Sequence, residues 1–342
     1  MRLISILGLI GLLLSVPIPA AAQSATPAAA SPSAATGDFA GLIDIGGGRE
    51  MYLECRGQDS PTVILEAGLN SRSDIWSRDY QEAEGERTMV LPGVAAFTRV
   101  CAYDRPGTIG EVNPDLDPDG PLFFPSRSDP VPQPRTTRDL VADLHALLRA
   151  AAVPGPYVLA GHSAGGLAVR LYASTYPDEV VGMVLVDATT EDVWRRFQGA
   201  LTPAQWSEFE ALTVTNRELQ EVYPEAERLW TAPLADDAST GQVRQAQIDS
   251  PLRPMPLVVL SHGIPFAEAF PGWPSETMEG IMRANQDGLA RLVPNARHVL
   301  ATRSGHNIHQ DQPELVIQAI RAVVDVVRDP RTWTTGLATP PG

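Results

Sequence analysis

The sequence predicts an α/β protein: a doubly wound, mostly parallel eight-stranded sheet with an inserted helical cap. Two observations carry that expectation. From residue 41 onward, short apolar runs of strand length alternate with longer segments whose apolar residues recur at helical spacing. Strands alternating with helices assemble into a sheet with helices on both faces. The alternation stops between residues 190 and 250, where the chain is helical in character without strands, as an insertion would be.

In chain order, runs at 41–45 and 50–55 read as a hairpin around Gly46-Gly47-Gly48, followed by strands at 62–66 and 99–103. Further strands fall at 157–160, 181–186, 257–260 and 298–301. The helix expected at 137–151 places Leu140, Val141, Leu144, Leu147 and Leu148 on one face, and segments 164–176, 275–292 and 314–327 repeat the pattern. Ligands of such sheets bind at the carboxyl ends of the strands, so chemistry is expected just after runs such as 157–160. Residues 111–135 hold seven prolines and no periodicity, which makes them a long loop. Its Phe123-Phe124 pair either lines a substrate entrance or belongs to a rigid surface loop. In the cap, Trp194, Phe197, Leu201, Trp206, Phe209, Leu212, Leu219, Tyr223, Leu229 and Trp230 are interleaved with charged residues. Most serve packing, and individual rings among them are candidates for substrate contact.

The ends read differently. Arg2, the apolar stretch 3–16 and Ala20-Ala21-Ala22 have the order of an export signal cleaved near Ala22, and Pro17 and Pro19 interrupt the run that a membrane anchor would need. Residues 1–22 are therefore expected to be a signal peptide, 23–37 a flexible Ala/Ser/Pro linker, 38–330 the folded domain and 331–342 a loose tail. The mature protein is expected to be secreted or periplasmic, with no stable membrane insertion. Such a compartment permits Cys55 and Cys101, the only two cysteines, to bridge; two buried free thiols are the alternative.

Charge removes whole classes of chemistry. The 26 basic residues are all arginine, against 41 acidic ones, for a net charge of −15. Without lysine there is no Schiff base, no P-loop and no Ser-Lys dyad. An acidic chain without a basic run is also a poor nucleic-acid binder.

The run Gly161-His162-Ser163-Ala164-Gly165-Gly166 directly follows a predicted strand and opens a predicted helix. Serine at the apex of a sharp strand-to-helix turn is a nucleophile elbow, with small residues on either side that allow the turn. Together with LEAGLNS (65–71), CAYDRPG (101–107), GMVLVDA (182–188) and SGHNIHQDQPELV (304–316), the chain from about residue 41 to 328 resembles the α/β-hydrolase family. A serine nucleophile needs a base. The resemblance points to His306, in Ser304-Gly305-His306 after the last strand, with His309 as competitor. It places the orienting acid after the sixth strand, at Asp187, which preserves the chain order Ser, Asp, His, with Glu268, the nearest carboxylate after the seventh strand, as the alternative. It implies backbone oxyanion donors at Ala164 and Leu69, although Ala67-Gly68 stands where many relatives have His-Gly. Asp104 and Arg105 resemble the family's loop anchors. The family's strand order makes the second and fourth strands neighbours, so a Cys55–Cys101 disulfide is expected.

The function implied is an exported serine hydrolase that cleaves a small-molecule carboxylic ester through an acyl-enzyme. Serine at the elbow disfavours mechanisms that need an attacking carboxylate. An aminopeptidase-like amide hydrolase and a catalytically silent fold used for binding are the alternatives. No cofactor is implied, and no metal: His306 and His309 are the only close histidine pair and no CxxC or HExxH accompanies them.

Overall fold

The computed structural model describes residues 37–81, 85–110, 123–214, 217–265 and 273–334. The expected signal peptide, nearly all of the linker, Glu268 and most of the tail lie outside them.

Eight strands form one sheet: β1 (Phe39–Gly46), β2 (Arg49–Arg56), β3 (Thr62–Glu66), β4 (Val100–Tyr103), β5 (Tyr157–His162), β6 (Val180–Val186), β7 (Leu257–His262) and β8 (Arg297–Ala301). Their spatial order is β1-β2-β4-β3-β5-β6-β7-β8. β1 and β2 pair antiparallel, as do β2 and β4, and the remaining neighbours run parallel. The β1–β2 turn uses Gly46, Gly47 and Gly48 with φ of 88°, 66° and 73°, a left-handed path that glycine takes without a Cβ penalty.

Strands β3 to β7 are buried almost throughout and read as continuous apolar runs because helices cover both faces. Side chains alternate between two cores. Val63, Leu65, Val158, Val184 and Val258 face α1 (Val90–Ala95) and α10 (Pro313–Arg328), while Ile64, Leu159, Leu185 and Val259 face α2 (Thr137–Ala150) and α3 (Gly165–Thr175). α2 starts on a reciprocal capping box between Thr136 and Asp139.

The insertion between β6 and β7 carries α4 (Val193–Ala200), α5 (Pro203–Val214), α6 (Arg217–Val222) and α7 (Ala238–Asp249). α7 packs on α2 and α3, so the last part of the inserted segment joins the helical layer of the sheet. α4 packs on α8 (Ser275–Leu289), which follows β7. The chain ends with the short α9 (Ile308–Asp311) and α10.

One expectation is narrowed here and one changes. Phe124–Pro125 pairs antiparallel with Ile109–Gly110, and the Phe123 ring lies 5.5 Å from that of Tyr223, so the described end of the proline-rich loop is tied to the fold and to the inserted segment. The tail expected to be loose from Arg331 begins with an ordered 3₁₀ turn, Pro330–Thr334, where the Trp333 indole donates to the Asn295 carbonyl at 3.0 Å under the Arg297 guanidinium. A single tryptophan finding an acceptor and a cation outweighs the weak local pattern.

Cys55 and Cys101 stand directly opposite each other on β2 and β4, with Cα atoms 4.1 Å apart, and form a disulfide. The bridge closes a sequence separation of 46 residues. A Cys55→Ser/Cys101→Ser protein is expected to lose roughly 2–5 kcal/mol of unfolding free energy. An unchanged urea midpoint and slope would show that the bridge constrains nothing.

Candidate active site

Ser163 follows β5 at the mouth of the elbow with φ 50°, a left-handed conformation rare outside glycine. Hydrogen bonds over-determine that strain: its amide donates to Val186 O at 3.1 Å, and its carbonyl accepts from the amides of Gly166 and Thr189, both at 2.9 Å. The flanking glycines are steric necessities. A Cβ on Gly165 would fall 2.6 Å from Ala67 O, and one on Gly161 would fall 2.7 Å from Gly165 O.

Asp187 follows β6 and also has a positive φ, 42°. It is wholly buried. Its Oδ2 accepts from His306 Nδ1 at 2.5 Å, which leaves Nε2 as the basic nitrogen of that imidazole. His306 sits in the loop after β8, where Asp311 accepts from the Gly305 amide at 2.9 Å and from the Ser304 hydroxyl at 2.8 Å. Burial alone would raise the Asp187 pKa, but hydrogen bonds from His262 and His306 outweigh it and hold it at about 2.

The competing histidines are placed otherwise. His309 is fully buried with its ring 4.9 Å from Trp76, and burial together with His306 lowers its pKa to about 3. His162 has its ring 4.3 Å from that of His309 and 4.7 Å from that of His306; burial first, then His309 and His306, keeps it neutral, so its Nε2–H donates to the His306 carbonyl at 3.1 Å. Both act as neutral packing around the His306 loop.

The Leu69 and Ala164 amides have no acceptor among the described residues. Gly68 lies against the elbow, for a Cβ there would stand 3.3 Å from Ser163 Cβ and 2.9 Å from His162 Nδ1. Ser163 and His306 open into a cavity of about 280 Å³. Thr189, Val193, Trp194, Phe197, Phe209, Met278 and Met282 also line it. Phe197 and Phe209 meet edge to face with centroids 5.5 Å apart, and Trp194 lies 5.8 Å from Phe209. Of the ten apolar residues singled out in the insertion, these three line the cavity; Phe123 and Phe124 do not. Among the described residues, no three His, Cys, Asp or Glu side chains are placed to hold a metal.

A family model described as the alpha/beta hydrolase family matches residues 63–319. The chain belongs to the alpha/beta hydrolase family. An uncharacterised protein of Schizosaccharomyces pombe is 26% identical over 286 residues, covering 72% of this chain and 50% of that protein. The chain thus spans half the length of that relative. The uncharacterised YqjL of Bacillus subtilis is 26% identical over 268 residues, covering 78% of this chain and 84% of its own. Wild-type Cfl2 from Burkholderia cenocepacia shares the fold, with a TM-score of 0.54 at 19% identity over 84% of this chain and 96% of that one.

In this alpha/beta hydrolase the loop carrying Leu69 is pinned from below. Arg105, buried at 3% exposure, uses all five of its N–H groups. Two go to Glu227 at 2.6 and 2.8 Å, one to Glu66 at 2.5 Å, and two to the carbonyls of Ala67 at 2.9 Å and Gly68 at 2.6 Å. Glu227, from the inserted segment, also accepts from the Asn70 amide at 2.8 Å. The alanine at position 67 therefore leaves the loop with its own anchor. Asp104 accepts from the amide and hydroxyl of Ser73 and from Arg127, tying the same region to the proline-rich loop. Sequence reasoning missed His262 and Glu279, which bond to each other behind Asp187. A lone histidine ending a strand carries no pattern that would have singled it out. Among the described residues, no helix is long and apolar enough to cross a membrane.

Proposed function

We propose that the protein is a serine hydrolase that cleaves carboxylic esters with a neutral, apolar acyl group through an acyl-enzyme. The observation that carries this reading is the convergence of Ser163 and His306 on one apolar cavity, with Asp187 bonded to the far nitrogen of His306. Ser163 Oγ attacks the ester carbonyl while His306 Nε2 takes its proton and then returns it to the leaving alcohol. The tetrahedral oxyanion is received by the amides of Leu69 and Ala164, each such donor contributing roughly 3–4 kcal/mol to the transition state. Water, activated by the same imidazole, releases the acid. Asp187 holds the tautomer and stabilises the imidazolium.

Among the described residues the cavity wall carries no carboxylate to meet an ammonium, which supports esters over peptides with a free amine. Its volume of about 280 Å³ lies near the small end of ligand sites, suited to short or medium acyl chains. Export after removal of residues 1–22 belongs to the same reading, supported by a disulfide of the kind that oxidising compartments maintain.

The test is labelling by a fluorophosphonate and turnover of p-nitrophenyl esters of increasing acyl length. The wild type is expected to label and to peak at short or medium chains, and Ser163→Ala to lose labelling and at least about 10⁴-fold in kcat. Phe209→Ala should move the optimum to longer chains. A wild type that neither labels nor exceeds Ser163→Ala on any ester sinks the reading.

A further inference from the structure

Behind Asp187 stands a second histidine that the proposed reaction does not touch. His262, the last residue of β7, has its side chain only 2% exposed. Its Nδ1 lies 2.8 and 2.9 Å from the two oxygens of Asp187, and its Nε2 lies 3.0 and 3.3 Å from those of Glu279 on α8. Its main-chain N–H also donates to Asp187 Oδ1, at 3.2 Å. An ionised carboxylate only accepts hydrogen bonds, so a ring nitrogen facing one must carry a proton. Both ring nitrogens are placed in this way, one against each carboxylate.

We propose that His262 is a buried imidazolium clamped between Asp187 and Glu279, a positioning residue that fixes the Asp187 carboxylate and weakens the hold of His306 on a proton. Its catalytic consequence rests on the hydrolase reading above. Burial would strip the proton from His262, but the hydrogen bonds and charges of Asp187 and Glu279 outweigh it and raise its pKa above the ordinary 6.5.

Two physical effects follow. The first is geometric: with Oδ1 tied to the ring and main chain of His262, the carboxylate keeps Oδ2 directed at His306. The second is electrostatic. An uncompensated buried Asp187 would favour the imidazolium form of His306 and hold it protonated to higher pH, where it is useless as a base. A cation on the far side of Asp187 offsets that pull. Among the described residues, the charged and titratable groups packed around His262 come from three places: Asp187 after β6, Glu279 with Arg283 on α8, and His306 across Asp187. Arg283 stands 3.7 Å outside Glu279 and is largely exposed. His298 on β8 is engaged elsewhere, with Ser261 Oγ at 2.8 Å and Asp287 at 3.2 Å.

The experiment follows ring nitrogens by long-range ¹H–¹⁵N NMR in the histidine-labelled protein. In the wild type at neutral pH, both nitrogens of His262 should be protonated, its signals identified by their loss in His262→Asn. Asparagine can still donate to Asp187 but carries no charge. In that variant the His306 titration is expected to move up by about one pH unit, as removal of a cation one carboxylate away implies. The acid limb of kcat/KM for a p-nitrophenyl ester should move with it. If His262→Asn does not fold, Glu279→Gln supplies the second arm: with one carboxylate gone, His262 should be singly protonated at neutral pH. A wild-type His262 carrying one proton at neutral pH overturns the proposal, as does an unmoved His306 titration in folded His262→Asn. A moved titration in a protein without ester turnover sinks the hydrolase reading and leaves the His262 assignment standing.

Discussion

Asp187→Asn is expected to lower kcat on the best p-nitrophenyl ester by about 10⁴-fold, with Glu268→Gln close to wild type. The carboxylate is buried and accepts from two imidazoles, His306 at 2.5 Å and His262 at 2.8 Å. An amide puts an N–H where one of those rings needs an acceptor. Either His306 adopts the tautomer in which Nε2 is no longer the base, or one buried donor is left unpaired. The Asp187 carboxylate itself is not expected to limit turnover on the acid side in ordinary assays, because it stays ionised down to about pH 2. The sign for stability follows from the same depression, from 3.8 in the unfolded chain to about 2 in the fold. The stabilisation is present above the unfolded value and is lost as pH falls through the folded one. Steady-state kinetics on both variants, each checked for an unchanged circular dichroism spectrum, decide the matter. A collapse of activity in Glu268→Gln with Asp187→Asn active would move the acid to the other strand.

The second large effect is expected at Arg105. Arg105→Met removes the only guanidinium bonded to Glu66 and Glu227 among the described residues and leaves two carboxylates buried at 0% and 3% exposure. Breaking a buried pair in this way costs about 3–5 kcal/mol, most of it the penalty of the stranded charge. The loop of Ala67, Gly68 and Leu69 loses two carbonyl anchors at the same time. Turnover should therefore fall by about 10²-fold even in the folded fraction, as expected when one oxyanion donor is misplaced. Urea unfolding of Arg105→Met against the triple variant Arg105→Met/Glu66→Gln/Glu227→Gln separates the two costs. The triple variant should regain most of the stability and little of the activity. Recovery of both would mean that the guanidinium serves folding alone.

Much of this architecture was legible along the chain because the governing interactions are local. Five-residue apolar runs and a 3.6-residue apolar period each report burial of one face, and burial is what a layered sheet demands. The misplacements are instructive. β5 was expected to end at Ala160 but runs to His162, since Gly161 and His162 still pair with Glu66 on β3 and Val186 on β6 up to the elbow. Gly161 reads locally as a turn residue, and the ladder on both sides overrides that preference.

The site divides along the same line. Ser163 was announced by its neighbours in sequence, because the elbow needs small residues at fixed offsets, and Ser304-Gly305-His306 by its place after the last strand. Asp187 was preferred to Glu268 as the acid because it keeps the chain order Ser, Asp, His. The fold brings Asp187 to His306 across 119 residues of chain, while Glu268 lies outside the described residues. The bond between Asp187 and His262 spans 75 residues, that between Arg105 and Glu227 spans 122, and no periodicity records either. Secondary structure and the elbow at Ser163 were thus legible in the sequence through propensity and pattern, and the cysteine pair through the strand order that the family resemblance implied. The partners of each buried charge, and the shape of the apolar cavity, were decided by tertiary structure. A buried charge must find its counterion in space, and spatial neighbours need not be neighbours in the chain.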